Sequence, residues 1–255
     1  MTKPILIEIL DGVQTLTINR ADKKNALTQE MYGQLADALR DAEDNPDIRV
    51  SLITGVADSF TSGNDIMDFI QNPVSGEDAP VIRFLYALAE VRKPLVAAVN
   101  GLAIGVGTTM LLHCDLVYAA DTATFSLPFV NLALVPEAAS SLLLPRMLGH
   151  QRAAELLMLG ETFTADFAHD AGIVTAVVPA RELQEKALGT AKKLAAKAPE
   201  ALRLTKSLMK ANTDQVLQAM RTEGAAFAGR LTSPEAREAM QAFMERRSPD
   251  FSKFS

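Results

Sequence analysis

A single cysteine, Cys114, and three histidines are all the thiol and imidazole groups in the 255 residues. One cysteine excludes an internal disulfide, which suits a reducing compartment. His113, His150 and His169 fall at no metal-ligand spacing, so no metal centre is expected. Cys114 sits in an apolar run with no evident base partner and reads as a buried thiol rather than a nucleophile. Positive charge is short as well: a net charge of −6 argues against nucleic acid as the main partner, while leaving room for a local basic patch. The start, MTKPILIEILDG, lacks the apolar region and cleavage site of a signal peptide, and the end, FSKFS, is not a peroxisomal address. A cytoplasmic protein without a membrane anchor is expected.

Between Pro94 and Cys114 there is no Asp, Glu, Lys or Arg. Asn100, three glycines (Gly101, Gly105, Gly107), Thr108, Thr109 and His113 interrupt the run, so a buried strand, a turn and a buried helix explain it better than a membrane span. Upstream, Asp11-Gly12 between two β-rich runs predicts a hairpin of Ile5–Leu10 with Val13–Asn19. Thr28 predicts the N-cap of a helix that carries Met31, Leu35, Leu39 and Ala42 on one face and ends at Asn45-Pro46. Strands are expected at Arg49–Thr54, Leu95–Val99, Leu116–Ala119, Thr124–Leu127 and Ile173–Val178. Helices are expected at Pro80–Glu90, from Gly107 through Leu112, and at Gln151–Leu159, Arg181–Lys197, Pro199–Lys210 and Asp214–Arg230, with a last one from Ser233-Pro234. The alternation argues for α/β, with a helical C-terminal region and no sequence repeat.

Glu137 is the most informative residue. It stands alone in LALVPEAASSLL, just after Pro136, and is either a helix-start glutamate at the surface or a desolvated base. Two glycine-containing turns, around Gly63 and at Gly105–Gly107, could only be turns, or could present backbone N–H groups to an anion. A base with two such donors is the minimum equipment for moving a proton next to a carbonyl. The other carboxylates carry less: Asp65 and Asp68 suit a helix cap, Asp115 a backbone anchor, and Glu77 and Asp78 a solvated loop.

NRADKKNALT (Asn19–Thr28), SFTSGNDI (Ser59–Ile66), KPLVAAVNGLAIGVG (Lys93–Gly107), CDLVYAADTATFSLP (Cys114–Pro128) and FTADFAHDAGIVTAVVP (Phe163–Pro179) occur in that order. Together they make the chain resemble the crotonase superfamily, the enoyl-CoA hydratase/isomerase family, over nearly its whole length. The resemblance implies a crotonase-like spiral of ββα units (1–195), a helical trimerisation region (196–255) and assembly as a homotrimer or a dimer of trimers. It also implies an acyl-CoA substrate, with coenzyme A as part of the substrate and no separate cofactor.

Carried over residue by residue, it implies an oxyanion hole from the backbone N–H groups of Ser62 and Val106. Many relatives have a third glycine where this chain has Val106. Coenzyme A contacts are implied at Lys23, Lys24, Ala26, Ser62, Asp65 and Ile66, and Lys253 is a further candidate for the nucleotide. The two glutamates of hydratases fall at Thr109 and Phe129, neither of which can activate water or deliver a proton, so hydration is not expected. Glu137 resembles instead the single catalytic glutamate of the Δ3,Δ2-enoyl-CoA isomerase branch, with Phe129, Leu134 and Leu142 shaping an acyl pocket. Another crotonase reaction, such as thioester hydrolysis, and a non-catalytic acyl-CoA-binding role stay open.

Overall fold

The computed structural model describes residues 3–72, 76–245 and 247–254. β1 (Ile5–Leu10) and β2 (Val13–Ile18) form the expected hairpin, with Leu10 opposite Val13 and positive φ at both Asp11 and Gly12. α1 (Gln29–Asp44) is capped by Thr28, whose hydroxyl accepts the Met31 N–H at 3.3 Å. The far end of α1 is closed by buried Lys93, whose Nζ reaches the carbonyls of Asn45 and Ile48 at 2.8 Å.

Three turns of a spiral follow. Each contributes one strand to a first sheet, one to a second sheet, and then helix: β3 (Val50–Gly55), β4 (Ser59–Thr61), α2 (Ile66–Gln71) and α3 (Pro80–Glu90); β5 (Leu95–Val99), β6 (Leu102–Ile104) and α4 (Val106–Thr109); β7 (Leu116–Ala120), β8 (Thr124–Ser126) and α5 (Ser140–Leu148). β3, β5 and β7 pair in parallel, as do β4, β6 and β8. The repeat therefore exists in the backbone although the sequence shows none.

Next come α6 (His150–Ala154), β9 (Thr162–Thr164), α7 (Ala165–Asp170), β10 (Ala176–Val178) and α8 (Leu183–Ala195). The sheets run β1-β2-β3-β5-β7-β10 and β4-β6-β8-β9. α8 lies across β2, β3, β5 and β7, and α1 packs on α3, which buries the sheet's apolar side chains in one continuous core. α9 (Pro199–Met209), α10 (Thr213–Leu231) and α11 (Pro234–Glu245) complete the chain, and α10 folds back onto α3 and α5.

Several expectations need correction. The Gly101–Gly107 turn contains β6, and the helix expected through Leu112 is four α-helical residues followed by a 3₁₀ turn at Met110–His113. The helix expected at Gln151–Leu159 becomes a π turn over Glu155–Leu159, and the strand expected from Ile173 begins only at Ala176. α5 is not among the helices expected from sequence, although Glu137 is weighed as a helix start, and it carries Pro145 inside it.

Candidate active site

The spiral puts the segments after β4, β6 and β8 side by side. Thr61 pairs with Ala103, and Ile104 with Ser126. Ser62 and Val106 thus leave neighbouring parallel strands at the same end. Glycine makes the approach possible: a Cβ on Gly107 would stand 2.7 Å from Thr61 Cγ2, and one on Gly63, where φ is +93°, 3.0 Å from the Ile104 carbonyl oxygen.

The two implied oxyanion donors differ in state. Val106 opens α4, where an N–H has no carbonyl one turn back, and among the described residues no acceptor meets it. A four-residue helix has little macrodipole, so the N–H itself is what it offers. The Ser62 N–H is engaged, donating to the Lys24 carbonyl at 3.0 Å. Lys23 and Lys24 thus approach the site by backbone, with their side chains exposed. Lys24 and Asn25 both lie in the left-handed region, at φ 50° and 58°. Buried Asn25 fixes that bend: its amide donates to the Val56 carbonyl at 3.0 Å, and its own carbonyl accepts the Thr61 hydroxyl at 2.7 Å.

Arg20 ties the same loop to α2. Its guanidinium donates to the half-buried Ala26 at the carbonyl (3.0 Å) and to the Asp65 carboxylate at 2.6 Å. Burial pushes Asp65 up, but Arg20 and the N–H groups of Asp68 and Met67 prevail and leave its carboxyl below the usual range. Asp65 also caps α2, beside half-buried Ile66. Asp115 accepts the Leu95 N–H at 2.8 Å and pairs with Lys206 at 2.6 Å, a backbone anchor. Lys253 pairs with Glu238 at 2.9 Å. Burial pushes the Cys114 thiol up to about 12.

Glu137 is buried in the segment between β8 and α5, and its Oε1 meets no hydrogen-bond partner. Burial raises its pKa to about 7, the negative charge of Glu223 adds to the rise, and the nearby Thr109 hydroxyl opposes it. A buried carboxyl oxygen without a partner is costly in general, by about 2 kcal/mol or more, which a purely structural residue does not require. The position where hydratases carry one glutamate, Thr109, thus faces Glu137 itself.

Three further residues around Glu137 were not singled out as site residues from sequence. Glu223 of α10 accepts the N–H groups of Ala139 (2.6 Å) and Ser141 (2.9 Å) and the Ser141 hydroxyl. Buried His113 donates from Nε2 to the Ala138 carbonyl, and burial holds its pKa at about 4, so the ring is neutral. Tyr32 is fully buried and hydrogen-bonded to Asn64 of the Ser62 loop; burial and the charge of Glu137 raise its pKa. Glu223 does carry a signal: it interrupts an apolar stripe of Val216, Met220 and Phe227 along α10.

The implied acyl-pocket residues are not gathered in one place. Phe129 and Leu134 belong to the core, whereas Leu142 lines a cavity of about 700 Å³ between α5 and α10 that Glu137 does not line. Among the described residues no group of three His, Cys, Asp or Glu is placed to hold a metal ion, and no helix is long and apolar enough to cross a membrane.

The enoyl-CoA hydratase/isomerase family profile matches residues 8–253. The chain belongs to this family. Its ββα spiral is the crotonase fold: an enoyl-CoA hydratase/isomerase from Pseudoalteromonas atlantica T6c superposes with a TM-score of 0.94 at 45% identity, covering 98% of this chain and 100% of that one. Enoyl-CoA delta isomerase 2 of Rattus norvegicus is 36% identical over 96% of the chain; the chain spans 64% of that relative's length. The 1,2-epoxyphenylacetyl-CoA isomerase of Escherichia coli K12 is also 36% identical, over 98% of the chain and 99% of its own length. A carboxyl with a pKa near 7 can exchange a proton with a carbon acid at neutral pH.

Proposed function

We propose that the chain moves the double bond of a 3-enoyl-CoA into conjugation with its thioester, giving the trans-2-enoyl-CoA. Glu137 removes a proton from C2, and the electron pair passes through the thioester carbonyl to leave a dienolate. The Val106 and Ser62 N–H groups stabilise the enolate oxygen, with Ser62 sharing or exchanging its bond to Lys24. The Glu137 carboxylic acid then delivers its proton to C4.

One observation carries this reading: Glu137 is buried, has an unpartnered oxygen and a pKa near 7, while the hydratase positions hold Thr109 and Phe129. Other buried glutamates, Glu223 and Glu238, have their oxygens hydrogen-bonded. The isomerase name of the rat relative supports the same direction. A second reading, a different acyl-CoA isomerisation through an enolate, rests on the epoxide-isomerase relative that matches from end to end. Coenzyme A contacts are proposed at Lys23, Lys24, Ala26, Ser62, Asp65 and Ile66, and assembly as a homotrimer or a dimer of trimers.

The test is turnover of a 3-enoyl-CoA, followed by the absorbance of the conjugated thioester, for the native chain and Glu137→Gln, with hydration of a 2-enoyl-CoA run in parallel. Isomerisation that falls about 10³-fold in the variant, without comparable hydration, supports the proposal. A variant as active as the parent would overturn it.

A further inference from the structure

Glu137 lies in a segment whose next two residues, Ala138 and Ala139, both have φ 57°, a left-handed conformation that alanine rarely takes. Two residues in a row in this region do not persist without outside support. The support comes from both sides. From the core, His113 Nε2–H meets the Ala138 carbonyl at 2.8 Å. From the C-terminal region, the buried carboxylate of Glu223 spans the turn, with Oε2 taking the Ala139 N–H and Oε1 taking the Ser141 N–H and hydroxyl. These N–H groups lie at the start of α5, where no carbonyl of that helix can accept them.

We propose that Glu223 is the positioning residue of Glu137: reaching in from α10, it fixes the left-handed turn that presents the base. The proposal rests on Glu137 being the base of the reaction above. A neutral acceptor could brace the same turn, so the choice of a carboxylate has a second effect. Its negative charge disfavours the ionised form of Glu137. The other groups around Glu137 are the Thr109 hydroxyl on α4, Tyr32 on α1 and neutral His113. Around Glu223, Arg146 of α5 and Asp214 of α10 line the same cavity. Lys210, just past the end of α9, donates to the His113 carbonyl at 3.1 Å. Burial also lifts Glu223, against the pull of its three donors.

The experiment uses full-length Glu223→Gln, Glu223→Ala and Ser141→Ala. Two readouts are followed: the pH profile of 3-enoyl-CoA isomerisation, and direct ¹³C NMR titration of the glutamate carboxyls, with Glu137→Gln assigning the signal. In Glu223→Gln the Glu137 midpoint should fall by about one pH unit, and kcat should drop about tenfold with KM changed less than about twofold. Ser141→Ala keeps the charge and should leave the midpoint near its native value. Glu223→Ala should lower kcat further. An unchanged midpoint and kcat in Glu223→Gln overturn the proposal, as does an equal fall of the midpoint in Ser141→Ala. If the native chain does not isomerise 3-enoyl-CoA, the proposed function fails, but the NMR titration still decides whether Glu223 governs Glu137.

Discussion

His113 Nε2 donates to the carbonyl oxygen of Ala138 across 25 positions of sequence, at 2.8 Å. A neutral, buried imidazole thereby holds the residue next to Glu137. Its pKa of about 4 lies below the ordinary 6.5. The unfolded chain therefore takes up a proton first as pH falls, and the stability this residue contributes is lost between about pH 6.5 and 4, to the extent of about 3 kcal/mol. His113→Phe leaves the Ala138 carbonyl unpaired and should cost about 1–3 kcal/mol at pH 8. The deficit should shrink by pH 4.5, since the variant has no imidazole to charge. Urea melts at the two pH values read this directly.

Glu137 has the opposite sign. Its pKa in the fold is about 7 against 4.5. Its ionisation costs nothing below pH 4.5, and the destabilisation grows as pH rises to 7, towards about 3 kcal/mol. Glu137→Gln should therefore raise Tm by several degrees at pH 8 and leave it nearly unchanged at pH 4.5. Equal Tm shifts at both pH values would contradict a raised pKa. In the native chain the two residues offset each other between pH 4.5 and 6.5, and either variant should expose the slope of the other.

Thr109→Val removes the hydroxyl that favours ionised Glu137, while the bond it makes to the Val106 carbonyl, at 3.5 Å, is too long to matter much. The acid limb of the isomerisation profile should move up by about half a pH unit with Tm changed by less than about 2 °C. A downward move would count against the assigned role of Thr109.

Arg20→Ala should loosen the loop that carries Lys23, Lys24 and Ala26, because it removes the bonds to Ala26 and Asp65 together. KM for the acyl-CoA is expected to rise about tenfold with a smaller change in kcat, and Arg20→Lys should recover only part of it, lacking the planar fork. Steady-state kinetics on the three proteins check this.

Local chemistry makes much of the fold legible in the amino-acid sequence. Asp11-Gly12 has one obvious use between two β runs, and Thr28 and Pro80 mark helix starts in a way that needs no tertiary context. The same holds for Glu137, whose isolation among apolar residues signals its environment. The turn that carries it is opaque, since nothing in two alanines announces a left-handed conformation imposed by His113 and Glu223. Glu223 itself lies 84 residues from Ala139, on a helix whose docking onto α5 no local pattern dictates. The bond from the Ser62 N–H to the Lys24 carbonyl is likewise hidden, because it depends on how the bend at Asn25 meets β4.

The backbone donors leave β4 and β6, whereas the carboxylate arrives on the segment after β8. In the proposed reaction, charge stabilisation and proton transfer are thus supplied by separate modules. A lineage, or an engineer, can relocate the acid from one segment to another without rebuilding the cradle for the thioester oxygen. One scaffold can in this way diversify its chemistry by single substitutions while its grip on the common handle of its substrates stays unchanged.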